Sequence, residues 1–167
     1  MESTVTSVTA SSLTIFGKTV AVNALTQYRD SRDDLKTFGQ ADILVGNTLE
    51  VSAFLDNSTV PASIVATRVE RIDPIASDRH ILQGPAVGDS TTNPTLTILG
   101  VTVTTTATGT AFLQADETPF PGAAGVERQN AFFAAVVSGQ TTVKARGQFT
   151  LGGILANEIE IEPTSDN

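Results

Sequence analysis

Asp30-Ser31-Arg32-Asp33-Asp34 puts three carboxylates within one short stretch, the densest acidic cluster of this 167-residue sequence. Three carboxylates on one loop are the beginnings of a calcium site, since that hard cation takes about six to eight oxygen ligands. The spacing is not that of an EF-hand, because the loop glycine and the distal glutamate are missing. Arg29 and Arg32 also stand among the acids. The better reading is a solvated loop, with Asp116-Glu117 as a weaker counterpart further along the chain.

Glu158, Glu160 and Glu162 are the second candidate, a carboxylate set for acid and base work. They alternate with Ile159 and Ile161, and a strand sends successive side chains to opposite faces. The expectation is therefore a row of glutamates facing water, with the isoleucines facing inward. Proton-transfer carboxylates need convergence and partial burial instead. His80, next to Arg79, is the one imidazole, and it reads as a surface or interface residue rather than a general base. Cysteine is absent, which removes disulfides, thiol nucleophiles and cysteine-bound zinc. Asn57-Ser58-Thr59 fits the acceptor pattern for N-glycosylation in an already polar loop. No phosphate-cradling glycine loop or zinc-protease helix is present. No catalytic, cofactor-binding or metal-binding residue is assigned, and the expectation is a non-enzyme without a cofactor.

The formal charge of −8 and pI near 4.4 narrow the partners. Up to Ala76 there are six basic against nine acidic residues, and after it four against nine, so neither half is basic. Nucleic acid requires clustered Lys and Arg to displace counterions, and an anionic membrane surface requires the same. Neither is expected as a partner. No apolar run approaches the roughly 18 residues of a bilayer-spanning helix, so no membrane insertion of this segment is expected.

The elements that carry these residues read as strands. Threonine is the most frequent residue, with many Val and Ile beside it, a β-rich composition. Ser12-Leu13-Thr14-Ile15-Phe16-Gly17-Lys18-Thr19-Val20 lines up with Thr95-Leu96-Thr97-Ile98-Leu99-Gly100-Val101-Thr102-Val103. Ile64-Val65-Ala66-Thr67-Arg68-Val69-Glu70 lines up with Ile154-Leu155-Ala156-Asn157-Glu158-Ile159-Glu160, and between them Gly46 with the strand 49–54 matches Gly139 with the strand 143–148. Three blocks in the same order point to an internal duplication. In both copies the apolar alternation changes parity at a glycine, Gly17 or Gly100, which marks a tight turn or a bulge.

Each copy holds strands over 4–8, 13–16, 19–22, 48–54 and 64–72, or 81–87, 96–99, 102–105, 142–149 and 154–162. A helical piece, 40–45 or 128–137, lies between the third strand and the fourth. A sheet this small exposes two edges unless it curls shut. The predicted fold is all-β: two tandem five-stranded OB-like β-barrels, residues 1–73 and 78–163, each with a short helix between strands 3 and 4. Phe16, Phe54, Phe112 and Phe149 are expected in the cores, with Phe132 or Phe133 plugging a barrel bottom. Tyr28 is the one aromatic suited to stacking on a ligand.

The signatures Leu13 to Val20, Val45-Gly46-Asn47-Thr48-Leu49-Glu50-Val51 and Ile64 to Glu70, repeated in Leu96 to Val103 and Ile154 to Glu160, resemble the bacterial domain-of-unknown-function family 5666. The resemblance implies a module of a longer exported or lipid-anchored envelope protein, and it brings no catalytic residues. The implied location is the extracytoplasmic bacterial envelope, periplasmic or lipid-anchored, with the signal region outside this sequence. The function expected is a structural or protein-interaction module, with other envelope proteins or glycans as partners. The alternative is an oligosaccharide- or small-ligand-binding module on an exposed barrel face.

Overall fold

The computed structural model describes residues 1–88 and 94–163, so part of the connection between the expected strands 81–87 and 96–99 and the end of the chain after Pro163 lie outside the described residues. The chain is mostly β and forms two compact units, Met1–Ile75 and Ala76–Asn167.

In the first unit the strands are β1 (Glu2–Thr4), β2 (Ser7–Val8), β3 (Ser12–Ile15), β4 (Lys18–Ala21), β5 (Gln27–Asp30), β6 (Thr48–Asp56) and β7 (Ser63–Ile72). β1 and β2 are halves of one strand interrupted at Val5-Thr6. β1 pairs antiparallel with β6, while β2 pairs antiparallel with β3. Antiparallel pairing continues from β3 to β4 and from β6 to β7, and β4 joins β7 in parallel. The ladder therefore returns to its first strand and closes a five-stranded barrel, with β5 extending β4 along β7. Leu13, Ile15, Val20, Leu49, Val51 and Val69 are fully buried, the inward set that the alternation selects.

The parity break at Gly17 is a two-residue turn. Leu13 stands opposite Val20 and Ile15 opposite Lys18, so both runs keep one face without a bulge. Phe16 and Gly17 both have positive φ (54° and 68°), the pattern of a type I′ hairpin. A phenylalanine is a poor fit to that region, but burying its ring offsets the strain, since Phe16 is 3% exposed. Leu99 and Gly100 repeat the pattern in the second unit (51° and 72°).

That unit contains β8 (His80–Val87), β9 (Thr95–Ile98), β10 (Val101–Thr104), β11 (Ala111–Leu113), helix α1 (Val126–Ala135), β12 (Thr142–Thr150) and β13 (Gly153–Ile161). The pairings β8–β9, β9–β10, β12–β13 and β12–β8 are antiparallel; β10 and β11 join β13 in parallel. This ladder closes as well. Phe132 of α1 packs on Phe112, Phe120 and Phe133 with ring centroids 5.4–5.6 Å apart, an aromatic plug under the sheet. Gln129, buried on the same helix, is satisfied by donating to the Thr105 hydroxyl at 3.0 Å.

Both long hairpins carry one extra residue at the same place. The register slips between Ser52 and Ala53, leaving Thr67 unpaired, and between Arg146 and Gly147, leaving Asn157 unpaired. A buried threonine hydroxyl answers each bulge: Thr26 donates to the Ala66 carbonyl at 2.9 Å, Thr110 to the Ala156 carbonyl at 2.7 Å. The same hydroxyls accept the amides of Asn23 and Thr106.

Some expectations are corrected. The helix expected over 40–45 is a single 3-10 turn, Gln40–Asp42, and α1 begins and ends two residues before the 128–137 expected. Two strands lie outside those expected, β5 and β11; Gln27-Tyr28-Arg29-Asp30 has no apolar alternation, and along β7 only its Asp30 is buried. Phe54 is 51% exposed because it lies on the outward face of β6 with Glu50 and Ser52, and Phe149, past the register shift opposite β13, is half-buried.

Gly147 and Gly17 should differ sharply on substitution. A Cβ on Gly147 would sit 2.1 Å from the Leu155 carbonyl oxygen, whereas one on Gly17 meets nothing within 4 Å. Gly17→Ala is expected to cost about 1 kcal/mol from its positive φ alone. Gly147→Ala is expected to cost clearly more in urea-unfolding measurements, and equal losses would contradict the close approach at the bulge.

Candidate functional site

The parallel register of β5 and β7 places Asp30 beside Arg71, and both side chains are buried. The guanidinium grips the carboxylate with two parallel bonds, Nε to Oδ1 at 2.9 Å and Nη2 to Oδ2 at 2.7 Å. Nη2 also donates to Asp33 at 2.9 Å, and the Phe38 ring lies 4.9 Å from the guanidinium carbon, a cation–π contact. Asp30 further accepts the backbone amides of Arg32, Asp33 and Leu35 at 3.2–3.4 Å. Arg32 closes the group on Asp33 at 2.7 Å.

The cluster read as a solvated loop is thus anchored in the barrel wall at Asp30; only its later residues face water. The error has a physical source. Arg71 lies 41 positions away in sequence, and local reading gives an acid no view of a cation brought in by parallel pairing. The bonds from Arg71, with help from the Leu35 and Asp33 amides, hold the Asp30 carboxyl far below the ordinary 3.8. Such a group stays ionised and is a poor proton carrier near neutrality. Its oxygens face five donors, so it offers no open edge for a cation. Among the described residues no group of three or more His, Cys, Asp or Glu is placed to hold a metal ion.

The glutamate row is also corrected. Glu160 is 6% exposed, not on the water side, and Lys144 directly across on β12 bonds it at 2.9 Å while reaching Glu162 at 3.4 Å. Arg146 pairs with Glu158 at 3.0 Å. Long basic side chains from the neighbouring strand lie over the carboxylates and bury them. Glu70, at the matching place in the first unit, is held by the Ser31 hydroxyl and the Arg68 guanidinium, with Arg29 3.6 Å away. Neither set converges on a vacant pocket.

The remaining candidates are local. Asp116 accepts the Thr118 amide at 3.0 Å and stabilises its own turn. His80 is half-buried with its ring centroid 6.3 Å from that of Phe149, and burial lowers its pKa. Asn57-Ser58-Thr59 lies in the exposed turn between β6 and β7, where Ser58 donates its amide to Asp56. Tyr28 donates to the Gln40 side chain at 3.3 Å and is only partly exposed, which leaves it poorly placed as a stacking platform. A feature that sequence reading missed is a cleft of about 230 Å³ in the second unit, lined by Asp78, Thr106, Gly109, Gln148, Leu155, Ala156 and Asn157. Its one legible signal is the change from Thr67 to Asn157 between the two aligned strands.

Residues 2–70 match the family model described as "Domain of unknown function (DUF5666)", so the resemblance seen in the strand signatures is shown for the first unit. No curated protein and no solved structure matches the chain. No helix among the described residues is long and apolar enough to cross a membrane.

Because the folded pKa of Asp30 lies below its unfolded value, its stabilisation is complete above the ordinary carboxylate range and is lost as pH falls from about 4 through the depressed value. Urea midpoints should therefore hold level from neutrality to about pH 5 and fall below it. Arg71→Leu, which strands a buried carboxylate, is expected to lower the midpoint more than the double variant Asp30→Leu/Arg71→Leu does. A double variant no better than Arg71→Leu would contradict the pairing.

Proposed function

We propose that this chain is a tandem pair of OB-type five-stranded barrels derived from one duplicated unit, serving as a non-enzymatic structural or protein-interaction module of an extracytoplasmic bacterial envelope protein, periplasmic or lipid-anchored. The observation carrying the non-enzymatic reading is the internal neutralisation of its acids. Asp30, Glu70, Glu158 and Glu160 each meet a basic side chain of their own unit, leaving no converging set of acids among the described residues.

Duplication is supported by details that neither unit needs to share by chance. Each has a positive-φ pair at its first hairpin, one extra residue in its last strand, and a threonine bonded to the carbonyl before that residue. Gly46 donates its amide to Val5 and Gly139 to Ala86, in both cases a carbonyl of the unit's first strand region. The OB-type assignment is supported by the strand order, in which the third strand joins the fifth in parallel and the fourth returns to the first. The short helical element between strands 3 and 4 is a full helix in the second unit and a single turn in the first.

Fold alone does not define a role, so the location carries the test. Fractionation of source cells, followed with an antibody to this chain, is expected to recover it in the envelope or periplasmic fraction; recovery in the cytosol would overturn the assignment. The glycan-binding alternative is weakened by the partial burial of Tyr28. The full chain is expected to give no reproducible signal on a glycan array, and a reproducible one would favour that alternative.

A further inference from the structure

We infer that the cleft at the β13 bulge of the second unit receives a primary alkylammonium group, the chemistry in which a lysine side chain ends. The bulge itself does not require the groups found there. In the first unit the equivalent positions are Phe54, Val65 and Thr67, and the bulge forms around the same threonine bond. In the second unit Gln148, Leu155 and Asn157 occupy them, and Asp78, Thr106 and Gly109 complete the lining.

The lining is chemically one-sided. Leu155, 45% exposed, and Ala156 give an aliphatic surface that fits a methylene stem. Around it stand acceptors. Asp78 and Gln148 belong to the lining, and neither side chain forms an ion pair or hydrogen bond with a described residue. Asn157 gives one amide proton to the Asp78 backbone carbonyl at 3.0 Å, and its side-chain oxygen forms no hydrogen bond to a described residue. The Thr106 hydroxyl accepts the Gly109 amide at 3.0 Å and keeps a second lone pair. No lysine, arginine or histidine lines the cleft. An anion would find no positive charge there, and a sugar ring would find no aromatic face. An ammonium on an alkyl stem matches both the acceptors and the aliphatic wall, and the chain's charge of −8 favours its approach.

Two sources share this chemistry, a lysine of a partner protein and a free diamine. Isotope-labelled full-length chain is titrated separately with Nα-acetyl-lysine N-methylamide, with its uncharged norleucine analogue, and with 1,5-diaminopentane, following backbone amide shifts. Saturable shifts at Gly109, Ala156 and Asn157 are expected with the lysine compound and not with the norleucine analogue. Response to the diamine without the lysine compound assigns the cleft to free diamines. Asp78→Asn, an isosteric change at an exposed position, is expected to weaken binding about fivefold, and Gln148→Leu to weaken it too. Equal shifts with norleucine, shifts confined to other residues, or binding unaltered in both variants would overturn the inference. It stands apart from the envelope assignment, because these titrations read binding and not location.

Discussion

A sheet of five short strands has two edges, and each unbonded edge leaves backbone donors and acceptors that must find partners. Each unit meets this by closing the sheet, and closure depends on the last strand, β7 or β13. That strand pairs in parallel with two short pieces on one side and antiparallel with a long neighbour on the other. It cannot serve both sides at constant register. One extra residue, Thr67 or Asn157, bends it, and a buried threonine hydroxyl takes the carbonyl that the bend would otherwise leave unanswered. Gly147 has no side chain because the strands approach too closely there for one.

The electrostatics follow from that curvature. Once the last strand is wrapped between neighbours, its polar residues are no longer on an open face. Arg71 is drawn against Asp30, Glu70 beneath Arg68 and Glu160 beneath Lys144. Buried charges persist only when paired and hydrogen-bonded, and Asp30 satisfies that condition fully. In the second unit the extra residue of the bulge, Asn157, instead bonds the Asp78 backbone carbonyl and lines a cleft.

Much of the architecture is legible in the strand signatures. Leu13, Ile15, Val20, Leu49, Val51 and Val69 alternate on one face, and all are buried. The parity change at Gly17 marks a turn, and the paired positive φ angles of Phe16 and Gly17 supply it. The reading fails where side-chain pattern stops reporting backbone pairing. β5 has no apolar face, and Phe54 lies on the even-numbered face of β6 that it shares with the exposed Glu50 and Ser52, so its side chain meets solvent.

The sequence by itself determined the β-rich composition, the order of the strands, the turns between them and the lack of thiol chemistry, because these depend on residues adjacent in the chain or on their identity alone. Tertiary structure decided which acids are buried, which cation each one meets, and where a cleft opens. Those outcomes depend on the register between paired strands, 41 residues apart for Asp30 and Arg71, and a carboxylate carries no mark of the partner that folding will place beside it.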